Sequence, residues 1–453
     1  MKIVNPATEE LIKEVAEDNS KSIQSKYITA KTAQKAWAKT PLKERIACIA
    51  KFNELMLANA DKIAADMTSE VGKPLEQAKG EISGGIGRSE YFVANSEKYL
   101  AEEWAVSEGA TKEKITYEPL GVIANISAWN YPILVGMNVF IPALIGGNAV
   151  LYKPSEYSTL TGLNMAEMLW QSGIPKDVFQ VVIGAKDAGE ALLNLPLDGY
   201  FFTGSYVTGK YIAERVAGKL VPIGLELGGK DPMYVCEDVD VKSAAASGVE
   251  GAFYNNGQSC CAVERIYVHE NIYDEYVTAF VEEAQQMKMG NPTEEGTFLG
   301  SLTRPQQMDV LADQVADAVA QGATLLLGGK RAERKGFFFN PTVLSNVNHS
   351  MKVMMDESFG PIIGIQKVKD NAEAIELMLD TPYGLTSAVF TTDENRALEL
   401  MQQLNSGTVY WNCCDRVSPN MPWSGRGNSG LGSTLSHAGI RTFVQPKSYH
   451  LRG

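Results

Sequence analysis

Histidine and cysteine are both scarce. Four His and six Cys occur in 453 residues, the cysteines at Cys48, Cys236, Cys260, Cys261, Cys413 and Cys414. Two adjacent pairs and two singles make no CxxC spacing, which excludes a disulfide scaffold and gives a zinc site little support. The pattern fits a reducing compartment, so a cytoplasmic protein is expected. Basic charge is also short. Lys and Arg number 41 against 54 Asp and Glu, a net charge of −13, the wrong sign for a nucleic-acid footprint. Met1 to Glu10 shows no basic region followed by an apolar one, so no signal peptide is expected. With 45% hydrophobic and 21% charged residues, and 41 Gly against 19 Pro, the composition is globular rather than collagenous or disordered. The length allows two or three domains.

Charge is missing altogether from Pro119 to Tyr152, so a membrane span has to be weighed. Three prolines (Pro119, Pro132, Pro142) and four asparagines (Asn125, Asn130, Asn138, Asn148) interrupt the stretch, which counts against lipid exposure. Read locally, it divides into a strand (Gly121 to Ser127), a turn (Ala128 to Pro132), a buried helix (about Ile133 to Ile145) and a strand (Asn148 to Tyr152). That is a βαβ unit, whose parallel strands are apolar throughout because both faces are covered.

Ahead of it, from Ser20 to about Tyr99, the spacing of Ile46, Ile49, Phe52, Leu55 and Met56 is helical, and Gly72-Lys73-Pro74 marks a helix end. After it, strands near Phe179–Val182, Gly199–Phe202 and Pro222–Leu227 alternate with helices. Such alternation predicts a doubly wound α/β sheet. A second α/β series starts near Gly229. Its strands are expected at Met233–Val235, Arg265–His269, Thr324–Leu327, Phe338–Leu344, Gly364–Val368, Ala388–Thr391 and Thr408–Trp411. The polar segment Ala101–Tyr117 reads as a protruding hairpin.

Several short motifs carry candidate chemistry. Cys260 stands in Asn256-Gly257-Gln258-Ser259-Cys260-Cys261. A cysteine in a glycine-containing turn is a candidate nucleophile, since a loop can expose the thiolate; the plain alternative is a small buried residue. Glu226, at the end of an apolar strand in Leu225-Glu226-Leu227-Gly228-Gly229-Lys230, is a candidate base whose pKa burial would raise; otherwise it pairs with Lys230 or turns outward. Asn130, in Ala128-Trp129-Asn130-Tyr131-Pro132, could donate to an oxyanion or simply form the turn. Phe202-Thr203-Gly204-Ser205 opens a helix whose free N–H groups suit a phosphate. Gly204 to Tyr211 also falls one residue short of a phosphate loop, with Tyr211 in place of the magnesium-binding hydroxyl. No GxGxxG follows a strand. Lys153 and Glu156, in Lys153-Pro154-Ser155-Glu156, could hold ribose hydroxyls or cap a helix.

Taken together and in order, these motifs, with Glu357-Ser358-Phe359-Gly360-Pro361 and the glycine-rich Pro422 to Gly432, resemble the aldehyde dehydrogenase superfamily from about Asn5 to Lys447. The 34-residue separation of Glu226 and Cys260 follows that family too. The resemblance implies two Rossmann-like α/β domains plus a small β oligomerisation arm. The NAD-binding domain would comprise 1–100 and 118–228, the catalytic domain 229–441, and the arm 101–117 and 442–453. It implies oxidation of an aldehyde to the acid through a Cys260 thiohemiacetal and thioester. Asn130 and the Cys260 backbone N–H would hold the oxyanion, and Glu226 would activate the hydrolytic water. Trp129, Lys153, Glu156, Gly204, Ser205, Glu357 and Phe359 would bind the cofactor. NAD is expected over NADP, because the Glu156 carboxylate would repel a 2′-phosphate. Cys261 would be structural. No metal, nucleic acid or membrane is expected, and the arm would build a homodimer or homotetramer.

Three positions depart from the family pattern. Asn138 and Val139 stand where many hydrolytic members carry Trp or Arg followed by Lys. A succinate-semialdehyde substrate, bound by that Arg, loses support. His437 lies near where a Glu partner of the Lys is usual, and a proton-relay role is the alternative to a solvent-facing or pocket-lining one. Trp411-Asn412-Cys413-Cys414-Asp415 stands where the family usually has a loop lining the substrate tunnel and suggests a partly polar pocket. The competing readings are a coenzyme A-acylating semialdehyde dehydrogenase, which the acid Glu226 argues against, a non-catalytic protein on the same fold, and a nucleoside triphosphatase.

Overall fold

A short antiparallel hairpin, β1 (Lys2–Val4) and β2 (Leu11–Glu14), begins the chain, which is described from residue 1 to residue 453 in a computed structural model. The helical stretch resolves into α1 (Ser20–Trp37), α2 (Leu42–Ala58), α3 (Ala60–Val71) and α4 (Leu75–Tyr99). Asn19 caps α1 by accepting from the backbone N–H groups of Lys21 and Ser22. Gly72 ends α3 at φ +78°, a left-handed cap. The polar segment that follows is a hairpin, β3 (Glu103–Val106) with β4 (Thr111–Pro119).

The uncharged stretch lies at the centre of the first layer. It supplies β5 (Val122–Ile126), α5 (Pro132–Ile145) and β6 (Ala149–Lys153), all fully or largely buried. Its asparagines are satisfied inside the protein. Asn125 donates to Gly136 O at 3.1 Å, and Asn148 donates to Ala143 O at 2.9 Å and accepts from Gly121 N at 2.9 Å. No helix is long and apolar enough to cross a membrane. The sheet is completed through α6 (Thr159–Gln171), β7 (Phe179–Val181), α7 (Lys186–Asn194), β8 (Gly199–Thr203), α8 (Tyr206–Val216) and β9 (Ile223–Glu226). These strands are parallel, in the order β9-β8-β5-β6-β7.

The second series runs through β10 (Asp231–Val235), α9 (Val241–Phe253), β11 (Val263–His269), α10 (Tyr273–Gln285), α11 (Pro305–Ala320) and β12 (Thr324–Leu327). It continues with β13 (Thr342–Ser345), α12 (Lys352–Met355), β14 (Ile362–Val368), α13 (Asn371–Leu379), β15 (Thr386–Phe390), α14 (Glu394–Met401) and β16 (Thr408–Trp411). The strand order is β12-β13-β14-β11-β10-β15-β16, parallel except at β12. The strand expected from Phe338 begins only at Thr342, because Pro341 has no N–H for the ladder. Helix α9 has only a faint apolar stripe, Val241, Ala244, Ala245, Gly248, Val249 and Ala252. Its VKSAAASGVEGAF run is built of small residues, and its start is fixed by Asp240 accepting from Ser243 N at 2.8 Å.

After β16 the chain returns to the first sheet. β17 (Gly430–Leu431) pairs antiparallel with β9. Trp423 and Leu435 join the first core, as do Ile440 of α15 (Ser436–Thr442) and Phe443. Residues 423–441, expected in the second domain, therefore pack with the first. The physical reason is an open edge: β9 ends the parallel sheet, and β17 covers its unpaired backbone groups. The last strand, β18 (Val444–Arg452), completes a three-stranded sheet in the order β18-β4-β3.

Candidate active site

The sequence candidates gather at one place because β5, β6, β8 and β9 are parallel and end on the same side. Trp129 and Asn130 follow β5, Lys153 ends β6, Gly204 and Ser205 follow β8, and Glu226 ends β9. Carboxyl ends of parallel strands in an open α/β sheet are where ligands bind.

Cys260 is delivered from the second domain by a turn after α9. Asn255 and Asn256 are left-handed, at φ 52° and 57°, and Gly257 follows at φ +69°. A Cβ on Gly257 would lie 2.4 Å from Gly360 O, so the turn requires glycine there. Buried hydrogen bonds hold this strained run. Asn255 Nδ2 donates to Gln258 O at 3.1 Å, Asn256 Nδ2 to Ser301 O at 2.9 Å, and Thr303 N to Gln258 Oε1 at 3.0 Å. Asn130 sits beneath the same turn, its Nδ2 donating to Gln258 O at 3.1 Å. The backbone N–H of Cys260 has no acceptor within the protein.

A buried ion pair anchors the Asn130 loop. Lys73 Nζ donates to Asn130 O at 2.8 Å and pairs with Glu81, whose Oε1 accepts from Ile133 N at 2.8 Å in the first turn of α5. Burial pushes the Lys73 pKa down, and Glu81 opposes that shift. Neither residue was a sequence candidate. Lys73 stood out only as part of a helix break, and Glu81 lies on a helix with no local mark of its partner.

Cys260 and Glu226 line one cavity of about 410 Å³, together with Arg88, Asn138, Cys414 and Asp415. Burial raises the Glu226 pKa, while Thr434 and the Arg88 charge restrain it. Its carboxylate accepts from the Thr434 hydroxyl, a contact created when β17 brings the C-terminal segment against β9. Lys230 does not pair with Glu226; it pairs with Glu264 at 2.7 Å. Cys261 is buried and donates to Asp415 Oδ1 at 2.9 Å, and its thiol is held well above its ordinary range by Cys260 and by burial. Cys414 is buried, its thiol pushed up to about 12, and only Cys413 of that pair stays out of the cavity wall. His437 is exposed on α15, its ring 5.5 Å from that of Tyr99. Thr434, not His437, touches Glu226.

The remaining candidates form a neighbouring cleft. The Trp129 ring meets Phe359 edge-on at 5.6 Å and Tyr157 at 6.4 Å. Phe359 is left-handed, at φ 47°. Its N–H donates to Glu264 Oε1 at 2.9 Å, and Ser358 N donates to Oε2 at 3.0 Å, so the Lys230–Glu264 pair fixes this loop. Glu357 accepts from Gly229 N at 3.1 Å, and burial pushes its pKa up to about 7. A Cβ on Gly228 would fall 2.0 Å from Glu357 Oε1, so a larger residue there would displace this carboxylate. Lys153 is buried, 3.8 Å from the half-exposed Glu156, and its only hydrogen bond is to Pro154 O at 3.3 Å. Gly204 N bonds Glu226 O at 3.0 Å, and Ser205 opens α8 with its Oγ on Thr208 at 3.1 Å. The first helical acceptor of α8 is Ser205 O, taken by Gly209 N at 2.9 Å, so the preceding amides remain free.

This geometry accompanies extensive similarity to known proteins. The profile of the Aldehyde dehydrogenase family matches residues 1–449. An aldehyde dehydrogenase of Emericella nidulans is 35% identical, covering 99% of this chain and 91% of its own length. The chloroplastic betaine aldehyde dehydrogenase of Beta vulgaris is 34% identical over 98% of this chain and 91% of its own. Among solved structures, betaine aldehyde dehydrogenase of Staphylococcus aureus in complex with NAD+ superposes with a TM-score of 0.96 at 30% identity, covering 100% of this chain and 92% of that one. The chain belongs to the aldehyde dehydrogenase family and is an oxidoreductase acting on aldehydes.

Proposed function

We propose that the protein oxidises an aldehyde to its carboxylic acid with NAD(P), through a covalent bond to Cys260 and hydrolysis by water activated at Glu226. The convergence of Cys260 and Glu226 on one cavity, from different domains, carries this reading. The Cys260 thiolate adds to the carbonyl carbon; the C–S bond forms as the C=O π pair moves to oxygen. The free backbone N–H of Cys260 and the second N–H of the Asn130 amide are the donors for that oxyanion. As the oxyanion re-forms its C=O bond, the former aldehyde hydrogen leaves the carbon as hydride and a thioester remains on Cys260; Glu226 then takes a proton from water, which attacks the thioester carbon and releases the acid and the Cys260 thiolate.

The cleft fits a nicotinamide dinucleotide. Lys153 has donors to spare and Glu156 lone pairs, both suited to ribose hydroxyls. The free amides of α8, after Gly204 and Ser205, suit the pyrophosphate. Glu357 would accept from the second ribose, and Trp129 and Phe359 would wall the ring. When bound, the nicotinamide supplies the hydride acceptor. Glu156 repels a 2′-phosphate, so NAD is assigned over NADP.

Following NADH formation over an aldehyde panel, with and without coenzyme A and with NADP in place of NAD, tests this assignment. Sustained turnover without coenzyme A and a higher kcat/KM with NAD are expected. A requirement for coenzyme A would replace hydrolysis by acyl transfer, and a preference for NADP would overturn the Glu156 argument.

A pH dependence follows from Glu357. Its pKa in the fold, about 7, lies above the ordinary 4.5. Its contribution to stability is therefore fully present below the ordinary value and is lost as pH rises through about 7. Cofactor binding runs the other way, because ribose hydroxyls donate to the ionised carboxylate. Affinity for NAD should tighten as pH rises through this range, by up to about tenfold per unit. Fluorescence titration at about pH 6 and pH 8 reads this, and Glu357→Gln should flatten it.

A further inference from the structure

The cavity in front of Cys260 contains a guanidinium with no salt-bridge contact. Arg88 comes from α4 and is partly exposed into the cavity. Its only hydrogen bond is from Nη1 to the neutral Asn138 Oδ1, at 3.2 Å. A guanidinium has five donors, so most of this fork is unused. The carboxylates around it are engaged elsewhere. Glu81 pairs with Lys73, and Glu250 with Arg416 at 3.6 Å on the rim. Glu226 accepts from Thr434, and Asp415 accepts from Cys261 at 2.9 Å.

We propose that Arg88 is the specificity-determining residue of this cavity, selecting an aldehyde that carries a carboxylate at its far end. The proposal rests on the reading of the Cys260 cavity as the aldehyde site. Planar guanidinium and planar carboxylate match as a two-point fork, and the pairing is strongest out of bulk water. The guanidinium stays charged, and the carboxylates nearest it are already held by Thr434, Cys261 and Lys73. An incoming substrate therefore meets a guanidinium with free donors. Position 138, where an arginine would bind such a carboxylate in other members of the family, instead holds Asn138, which orients Arg88 from the neighbouring helix. The charge is kept, but a different element supplies it. A quaternary-ammonium aldehyde, as the name of the Beta vulgaris relative indicates for that enzyme, would meet a like charge here.

Steady-state kinetics with NAD on three aldehydes of matched length test the assignment: 4-oxobutanoate, butanal and a trimethylammonium aldehyde. In the wild type kcat/KM should favour 4-oxobutanoate over butanal by at least about 100-fold, the scale of a buried charge-assisted pair. Arg88→Gln should collapse that ratio by a similar factor, mostly through KM, and Arg88→Lys should restore part of it, since it returns the charge without the fork. Preference of the wild type for butanal or the ammonium compound overturns the proposal, even if neither variant folds. An unchanged ratio in Arg88→Gln overturns it as well. Absence of turnover with all three aldehydes sinks the aldehyde-site reading together with this one, whereas butanal oxidation without a carboxylate preference sinks this one alone.

Discussion

Cys260→Ala should lose aldehyde-dependent NADH formation by on the order of ten-thousand-fold or more, the scale seen when a covalent nucleophile is removed. Nothing else in the cavity can take its place. Cys261, the adjacent thiol, is buried, donates to Asp415 and is held well above its ordinary pKa, so its thiolate is disfavoured. Cys414 also reaches the cavity wall, but its thiol is pushed up to about 12. The substitution removes one sulfur from a turn fixed by Asn255, Asn256 and Gln258, so NAD affinity and melting temperature should change little. Activity persisting in Cys260→Ala with both of these intact would exclude a covalent mechanism at this residue.

Glu226→Gln should separate the two halves of the reaction. Amide and carboxylate have the same shape, so the Thr434 hydroxyl and the β9–β17 pairing keep their places. The amide cannot accept a proton from water, and steady turnover should fall by about 100- to 10,000-fold. A rapid burst of NADH, stoichiometric with enzyme, should remain, because in the proposed mechanism bond formation at Cys260 and oxidation precede hydrolysis. In the wild type, hydrolysis requires the ionised carboxylate, whose pKa burial raises. Its rate should therefore climb as pH rises through that value and then level, and the climb should vanish in Glu226→Gln. A steady rate within about threefold of wild type would remove Glu226 from the role of base.

Much of the site was legible because its parts are local. The Cys260 turn, the Glu226 strand end and the glycine pair beside it occupy short stretches in which residue type, turn chemistry and strand polarity agree. The βαβ reading of the uncharged stretch rested on prolines and asparagines that a membrane span tolerates poorly, and β5, α5 and β6 lie within about a residue of the expected bounds. Helix α9 is faint in the sequence because its apolar stripe is built of small residues, and the strand near Phe338 is shortened because Pro341 has no N–H for the ladder.

What escaped sequence reading altogether consists of partners far apart in the chain. Lys73 meets Glu81 and Asn130, Lys230 meets Glu264 rather than Glu226, and Thr434 meets Glu226 across 208 residues. Long-range buried pairs leave no local periodicity, because each member is placed by a different element.

By itself, then, the sequence determined the α/β alternation, the places of Cys260, Glu226 and Asn130 in turns and at strand ends, and the acidic balance of the chain. Turns, strand ends and composition are encoded by neighbouring residues. Only the tertiary structure decided that Glu226 is held by the returning C-terminal segment, that buried ion pairs fix both loops of the site, and that Arg88 from α4 enters the cavity beside Asn138. Charge in a cavity is a property of the space several elements enclose, and that space exists only once the chain has folded.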